Sequence, residues 1–426
     1  MRLLLEKEFR ELARSRAYWL LLLMMGPLAG HAFITAVDSY AEMSRGALAQ
    51  GLSPLDGILT PTLGAYDIAA TLLFPFVAIR LISSEKESGA WKLMLQAPFG
   101  LGRMLTAKAI ALTGAWCVAG IPGLMAIALW RMYGGSLYAP ETVNLLLGHL
   151  LRALVSAGVA VGAASIATSA ASAAIATLGF TVGTWALEFV AEGRGGWLAT
   201  LAAWTPTAAL RVFEQGELRL STALVMLAVG VAGFVLAAIW LAKGRGLGKR
   251  AMYSCVEMAA LIAILSAAST IRASWDVSEN RRHSFSDAEE TALRRIDTPL
   301  RVTVNLAPED PRLADLNRNV LSKLARVLPK LEVEYAAHGR SGLFEGEHYG
   351  EVWWETGGRR VMSRSTTEAI VLENLFRLAQ VPAPAAGEPD GYKGHAVQAS
   401  PHYAALIYYL LWPLVVVAAA VLQFRA

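Results

Sequence analysis

Residues 220–250 read LSTALVMLAVGVAGFVLAAIWLAKGRGLGKR. Leu220 to Ala242 carries no charged side chain, and Lys243, Arg245, Lys249 and Arg250 follow at once. About 20 apolar residues of helix cross a hydrocarbon core about 30 Å thick, and a basic cluster at one end marks the cytoplasmic side. Outward from this stretch the pattern recurs. Apolar runs of spanning length lie at Tyr18–Val37, Tyr66–Ile82, Thr106–Trp130, Leu147–Thr168, Ser172–Val190, Met252–Ile271 and Tyr403–Phe424, which makes about eight in all. With mean hydropathy +0.43 and 17% charged residues, the composition excludes a single soluble domain and predicts a polytopic α-helical membrane protein.

Orientation follows from the other basic residues. Arg2, Lys7, Arg10, Arg14 and Arg16 precede the first run, and Arg80, Lys86, Lys92, Arg103 and Lys108 surround the loop after the second. The intervening loops hold few, Arg45 and Arg131 among them. Both termini are therefore expected in the cytoplasm and residues 273–402 outside it. The net charge of +4 is explained by these topogenic clusters, so no nucleic-acid partner is implied. Cys117 and Cys255 both fall in apolar runs, which leaves no disulfide framework or cysteine metal site for the outer region. A charged segment precedes the first run without a small-x-small site after it, so that run is expected to stay in place rather than be cleaved.

Within this frame, residues 1–16 place Leu5, Phe9 and Leu12 at helical spacing opposite Glu6, Lys7, Arg10, Glu11 and Arg14, an amphipathic helix expected in the membrane interface. The fourth and fifth runs are rich in small residues, and Gly158 with Gly162 forms a GxxxG pair, a candidate packing interface either inside the chain or with a second copy. Residues 195–213, with Trp197, Leu201, Trp204, Pro206, Leu210 and Phe213, are too interrupted to cross and too apolar for a free loop. Short interfacial or re-entrant helices are expected there. In the outer region, Ser286 and Glu289 make a capping box. Leu300, Val302, Val304 and Leu306 alternate, Leu313 to Val327 is helical in period, and Leu331, Val333 and Tyr335 alternate again, a β-α-β unit with parallel strands. Val352–Glu355, Gly357-Gly358 and Arg359–Ser363 predict a hairpin, Thr366–Ala379 a closing helix, and 381–402 a linker to the last span.

The segment that carries chemistry is Ser84-Glu85-Lys86-Glu87-Ser88-Gly89-Ala90-Trp91-Lys92-Leu93-Met94-Leu95-Gln96-Ala97-Pro98. It leaves the second span as alternating charges and continues as Gly, an apolar stretch and Pro. Here a short amphipathic helix on a rigid span, with charges at its rim and Trp91, Leu93 and Leu95 as an apolar knob, is suited to receive a push from a soluble partner. At Glu85, Lys86, Glu87, Gly89 and Pro98 the chain resembles the type-2 ABC exporter permeases, whose first cytoplasmic loop reads E-[RK]-E-x-G-T, then an apolar stretch and Pro. Ala90 stands in place of the Thr. The resemblance implies that 84–105 is a coupling loop seated on a separate ATPase dimer that binds ATP and Mg, that residues 17–243 form a six-span bundle, and that two permease copies, here a homodimer, line the path. From Met252 through Asp276-Val277-Ser278 and Arg282-His283-Ser284-Phe285-Ser286 to the last span, the second half is similar to the gliding-motility-type auxiliary protein GldG, and the first half to its permease companion GldF. The chain departs from that pattern after Asn374–Leu378, where a second soluble module is missing.

No P-loop is legible. Gly246-Leu247-Gly248-Lys249-Arg250 lacks the spacing and hydroxyl that phosphate binding by G-x-x-x-x-G-K-[ST] needs, so no catalytic residue, cofactor or metal is assigned to this chain. Glu345, Glu347 and His348 are read as a solvated loop rather than metal ligands. Glu188, Arg152, His149, Asp67 and Glu257 are candidate intramembrane polar sites, placed near span ends where snorkelling accounts for them. Pro27, Pro75, Pro122 and Pro413 are expected to kink their spans. The expected function is a permease subunit in a bacterial cytoplasmic membrane, exporting a substrate at the expense of ATP hydrolysed elsewhere. Two alternatives stand beside it: a cargo-free transmitter of force to an envelope protein through the 273–380 domain, and a non-ABC scaffold or sensor.

Overall fold

Among the described residues, eight helices are long and apolar enough to cross a membrane. The structure, a computed structural model, describes residues 1–46, 51–94, 96, 99–191, 197–307, 310–336, 348–384 and 392–425. In chain order the helices are α1 (Arg2–Ala13), α2 (Arg16–Met43), α3 (Leu55–Glu87), α4 (Ala90–Met94), α5 (Leu101–Met132), α6 (Ala139–Ile166), α7 (Ala170–Ala191), α8 (Trp197–Ala202), α9 (Pro206–Glu214), α10 (Leu220–Leu241), α11 (Leu247–Ser269), α12 (Asp287–Leu293), α13 (Pro311–Leu316), continued through a wider helical turn at Asn317–Leu321 into α14 (Ser322–Val327), α15 (Glu368–Ala379) and α16 (Ala404–Arg425). The chain divides into one unit of Met1–Ala186, Thr205–Ile271 and Lys393–Ala426 and another of Leu187–Trp204 and Arg272–Tyr392.

In the first unit, proline chemistry sets the breaks. Leu73 and Gly120 interrupt α3 and α5 just before Pro75 and Pro122, because proline has no N–H to donate and crowds the preceding turn. By contrast, α2 runs unbroken through Pro27. Two close seams hold the spans. On α6, a Cβ added at Gly158 would meet the Gly230 carbonyl of α10 at 2.1 Å, and one on Gly233 would meet the Gly158 carbonyl at 2.0 Å. The Gly158/Gly162 pair is therefore spent inside the chain, where small residues let backbones touch. On α2, Gly26 and Gly30 lie under Trp412 and Tyr408 of α16, within 2.1 and 2.3 Å of an added Cβ. The Trp412 indole donates to the Leu22 carbonyl at 2.7 Å and the Tyr408 hydroxyl to that of Pro122 at 2.9 Å.

Part of the expected linker is also built in. His395 N–H donates to the Leu52 carbonyl at 2.9 Å, Tyr40 hydroxyl to His395 at 2.8 Å, and Val397 N–H to Ser44 Oγ at 3.0 Å. Backbone groups beside the spans find partners there instead of remaining loose. Residues 385–391 of that segment lie outside the described residues.

The second unit contains a four-stranded sheet in the order β2-β1-β3-β4, with β1 Leu300–Val304, β2 Leu331–Tyr335, β3 Val352–Thr356 and β4 Arg359–Ser363. β1 and β2 are parallel, and the β1–β3 and β3–β4 pairs are antiparallel. Leu300, Val302, Val304, Val352 and Trp354 face a core shared with Leu316, Val320, Leu324, Leu372 and Leu375. Gly357 and Gly358 turn β3 into β4 with φ of +55° and +72°, the left-handed pair that a two-residue hairpin needs. Ser286 and Glu289 cap α12 in both directions. Upstream, Asp276 accepts hydrogen bonds from Ser278 Oγ at 2.5 Å, Ser284 Oγ at 2.8 Å, His283 N–H at 2.8 Å and Ser278 N–H at 3.1 Å. Burial alone would push its carboxyl up; these donors hold it below the usual range.

Candidate functional site

The segment after α3 is shaped by one glycine. α3 ends at Glu87, Gly89 reverses the chain at φ +74°, and α4 begins at Ala90; a side chain at Gly89 would strain this left-handed turn. α4 then lies with Trp91 buried, its indole donating to the Leu241 carbonyl at the end of α10 at 3.4 Å. Leu93, by contrast, is 70% exposed, and Lys92 is exposed beside it.

Lys86 reaches across to the end of α6, donating to the carbonyls of Ala164, Ser165 and Ala167 at 2.8, 2.9 and 2.7 Å. A helix C-terminus leaves its last carbonyls unpaired and carries partial negative charge, so one ammonium satisfies three orphan acceptors there.

Glu85 turns the other way, into a buried web. Its carboxylate pairs with Lys108 of α5 at 2.9 Å and with Lys7 of α1. Lys108 also pairs with Glu8 at 2.8 Å and donates to the Leu81 carbonyl at 3.2 Å, and Lys7 pairs with Glu8 and Glu11 at 3.0 Å each. Lys108, Glu8 and Glu85 are all buried. Burial would lower the Lys7 ammonium, but the carboxylates of Glu85, Glu8 and Glu11 reverse that and raise it. Carboxylate oxygens of Glu8, Glu11 and Glu85 converge within 4.8 Å, a spacing that a cation could use. Each of these three carboxylates already pairs with an ammonium group through one of its oxygens, so the cluster is held as an ion-pair web.

Several expectations change here. Glu85 and Lys86 do not sit at an exposed rim, and Trp91 is not part of an outward knob: each is turned inward by a partner on another helix, leaving Glu87, Lys92 and Leu93 outward. Leu95 and Pro98 lie outside the described residues, as do Glu345 and Glu347. The buried line of α1 is Leu4, Glu8 and Leu12, not Leu5, Phe9 and Leu12, because Glu8 is drawn in by Lys108; Phe9 is 43% exposed.

Arg152 is likewise displaced from its expected place. It is the fourteenth of the 28 residues of α6 and wholly buried, so it cannot snorkel. Its Nε donates to Asp67 at 2.8 Å, Nη2 to Thr71 at 2.7 Å and Nη1 to Ser156 at 3.0 Å. His149, one turn earlier, is buried with its ring 6.3 Å from that of Tyr66. Glu188 and Glu257 are half-exposed on α7 and α11. Glu8 and Lys108 escaped the sequence reading as site residues. The available signals were a lone lysine seven residues into α5 and an acid in helical register with Leu4 and Leu12.

A bundle of apolar helices of spanning length, with a short helix fastened at one end and charges neutralised in its interior, defines a multi-pass membrane protein. The chain belongs to the ABC-2 family transporter proteins, whose family description matches residues 2–241 of its 426. No curated protein matches it.

Proposed function

We propose that this chain is the permease subunit of an exporter in a bacterial cytoplasmic membrane, and that α4 is the element on which a separate ATPase dimer, holding ATP and Mg, acts. The observation that carries the reading is the triple fastening of this corner: α4 follows α3 through Gly89, Trp91 ties it to α10, and Lys86 ties the end of α3 to α6. A displacement of the outer face of α4 therefore reaches three spans without a loose joint. Leu93, flanked by Lys92, supplies the apolar contact that remains exposed. Two copies of the chain would complete the path, and residues 273–402 would lie outside the cytoplasm, bracketed by the last two spans.

The test is ATP turnover by the ATPase in the reconstituted complex. Lys92→Glu with Leu93→Arg alters only outward side chains and is expected to abolish the stimulation of turnover that the permease confers, while the chain still inserts and melts as wild type. Undiminished stimulation would remove α4 as the coupling element.

A further inference from the structure

The basic loop between α10 and α11 has chemistry that the coupling role leaves unused. Between Leu241 and Val256 the only charged residues are Lys243, Arg245, Lys249 and Arg250, and among the described residues none of them pairs with a carboxylate. This is the reverse of Lys7, Lys108 and Arg152, each of which meets an acid at close range.

The two guanidinium groups are nevertheless held. Arg245 lies over the Tyr253 ring at 4.8 Å and Arg250 over the Trp240 ring at 6.0 Å. Arg250 also reaches the Ala242 carbonyl at 3.4 Å, and Trp240 is anchored by its indole donating to Ser254 Oγ at 3.0 Å. Cations stacked on interfacial aromatics keep their edge donors available.

The backbone beside them is equally open. α11 starts at Leu247 after Gly246, with no side chain capping its first amides, and a Cβ on Gly244, Gly246 or Gly248 would meet nothing within 4 Å. Unpaired amides at the start of a 23-residue helix favour an anion, and the glycines let a bulky one approach. Along α11 only Ala268 is buried, so most of the helix is left for lipid tails to cover.

We propose that Lys243, Arg245, Lys249, Arg250 and the first turn of α11 form a binding site for the phosphate of an anionic phospholipid, with the acyl chains lying along α11. Charge complementarity selects the headgroup, and the exposed apolar helix selects a lipid over a soluble phosphate. Trp91 hydrogen-bonds to the last residue of α10, two residues before Lys243, so an occupied site stiffens the corner that bears α4.

The experiment titrates the purified full-length chain, in neutral detergent, with phosphatidylglycerol or phosphatidylcholine. Tighter binding of phosphatidylglycerol is expected, with the preference shrinking as salt rises. Each basic residue contributes roughly a fivefold factor in affinity, so Lys243→Gln with Lys249→Gln should cut the preference by more than about tenfold, whereas Arg10→Gln with Arg14→Gln on α1 should leave it intact. Basic residues also orient insertion, and for that reason the wild-type titration stands by itself: equal affinity for the two lipids overturns the site. So does an equal loss in the α1 control, which would reduce the effect to overall charge.

Discussion

Lys108 and Arg152 are both fully buried in the helical bundle, yet they are neutralised in contrasting ways. Lys108 stands at the end of the bundle in a web with Glu8 and Glu85, while Lys7 brings in Glu11. Arg152 stands at the middle of α6 with Asp67 as its one ion-pair partner among the described residues, supplemented by the hydroxyls of Thr71 and Ser156. The web sets the three carboxylates of Glu8, Glu11 and Glu85 against the two ammonium groups of Lys7 and Lys108, so one acid is in excess. At mid-depth every additional charge is costly, and neutral hydroxyls finish the job. The end web should therefore tolerate the loss of any one acid, and the central pair should not.

The largest effect is expected at that pair. Asp67→Asn leaves Arg152 buried without a counter-charge, and breaking a buried pair from one side costs about 3–5 kcal/mol. Thermal unfolding of the purified chain should show a large drop in midpoint or a loss of folded yield. Replacing both partners, Asp67→Leu with Arg152→Leu, should recover most of it, since apolar groups of similar size can substitute for a buried pair. If Asp67→Asn melts with the wild type, something other than Asp67 neutralises Arg152.

A smaller effect separates the two glycine-bearing helices that follow each other in sequence. Gly158→Ala in α6 forces a methyl against the Gly230 carbonyl, an overpacking that costs about 1–3 kcal/mol. Gly179→Ala in α7 meets nothing within 4 Å and should be neutral or stabilising by up to about 1 kcal/mol, the helix propensity difference. Melting the two variants side by side checks this. Equal destabilisation would mean that α7 is covered as closely as α6 in the assembled protein.

What the sequence disclosed and what it hid follow the same physics. Eight spans were legible because crossing lipid demands long apolar runs, a property of composition alone. Their ends were not: Glu141 and Asn144 made α6 look as though it began at Leu147, when it begins at Ala139, and this put Arg152 near an end instead of the centre. The turn at Gly89 was legible as punctuation. The inward turn of Trp91 was not, because its partner Leu241 is 150 residues away. Likewise, nothing local in Gly26 and Gly30 announces that Trp412 and Tyr408 will cover them. Local rules place helices; which face of each is buried is decided by pairings that short-range periodicity does not encode.

The smallest effect tests the redundancy of the web. Glu11 is its least buried acid, with about a third of its side chain exposed. Burial raises its carboxyl; the hydrogen bond from Lys7 works against this, and the nearby charge of Glu85 adds to the rise. A carboxyl raised in the folded state contributes stability that is present below the ordinary carboxylate range and lost as pH climbs through the raised value. Glu11→Gln removes this dependence, so the variant should gain on the wild type as pH rises from about 4 to 7, by well under about 1 kcal/mol given the exposure. Unfolding midpoints of the two chains across that range are the measurement. Parallel curves would show that Glu11 does not feel its neighbours. A variant that instead loses ground as pH rises would show that Lys7 requires the Glu11 charge, and that the web has no acid to spare.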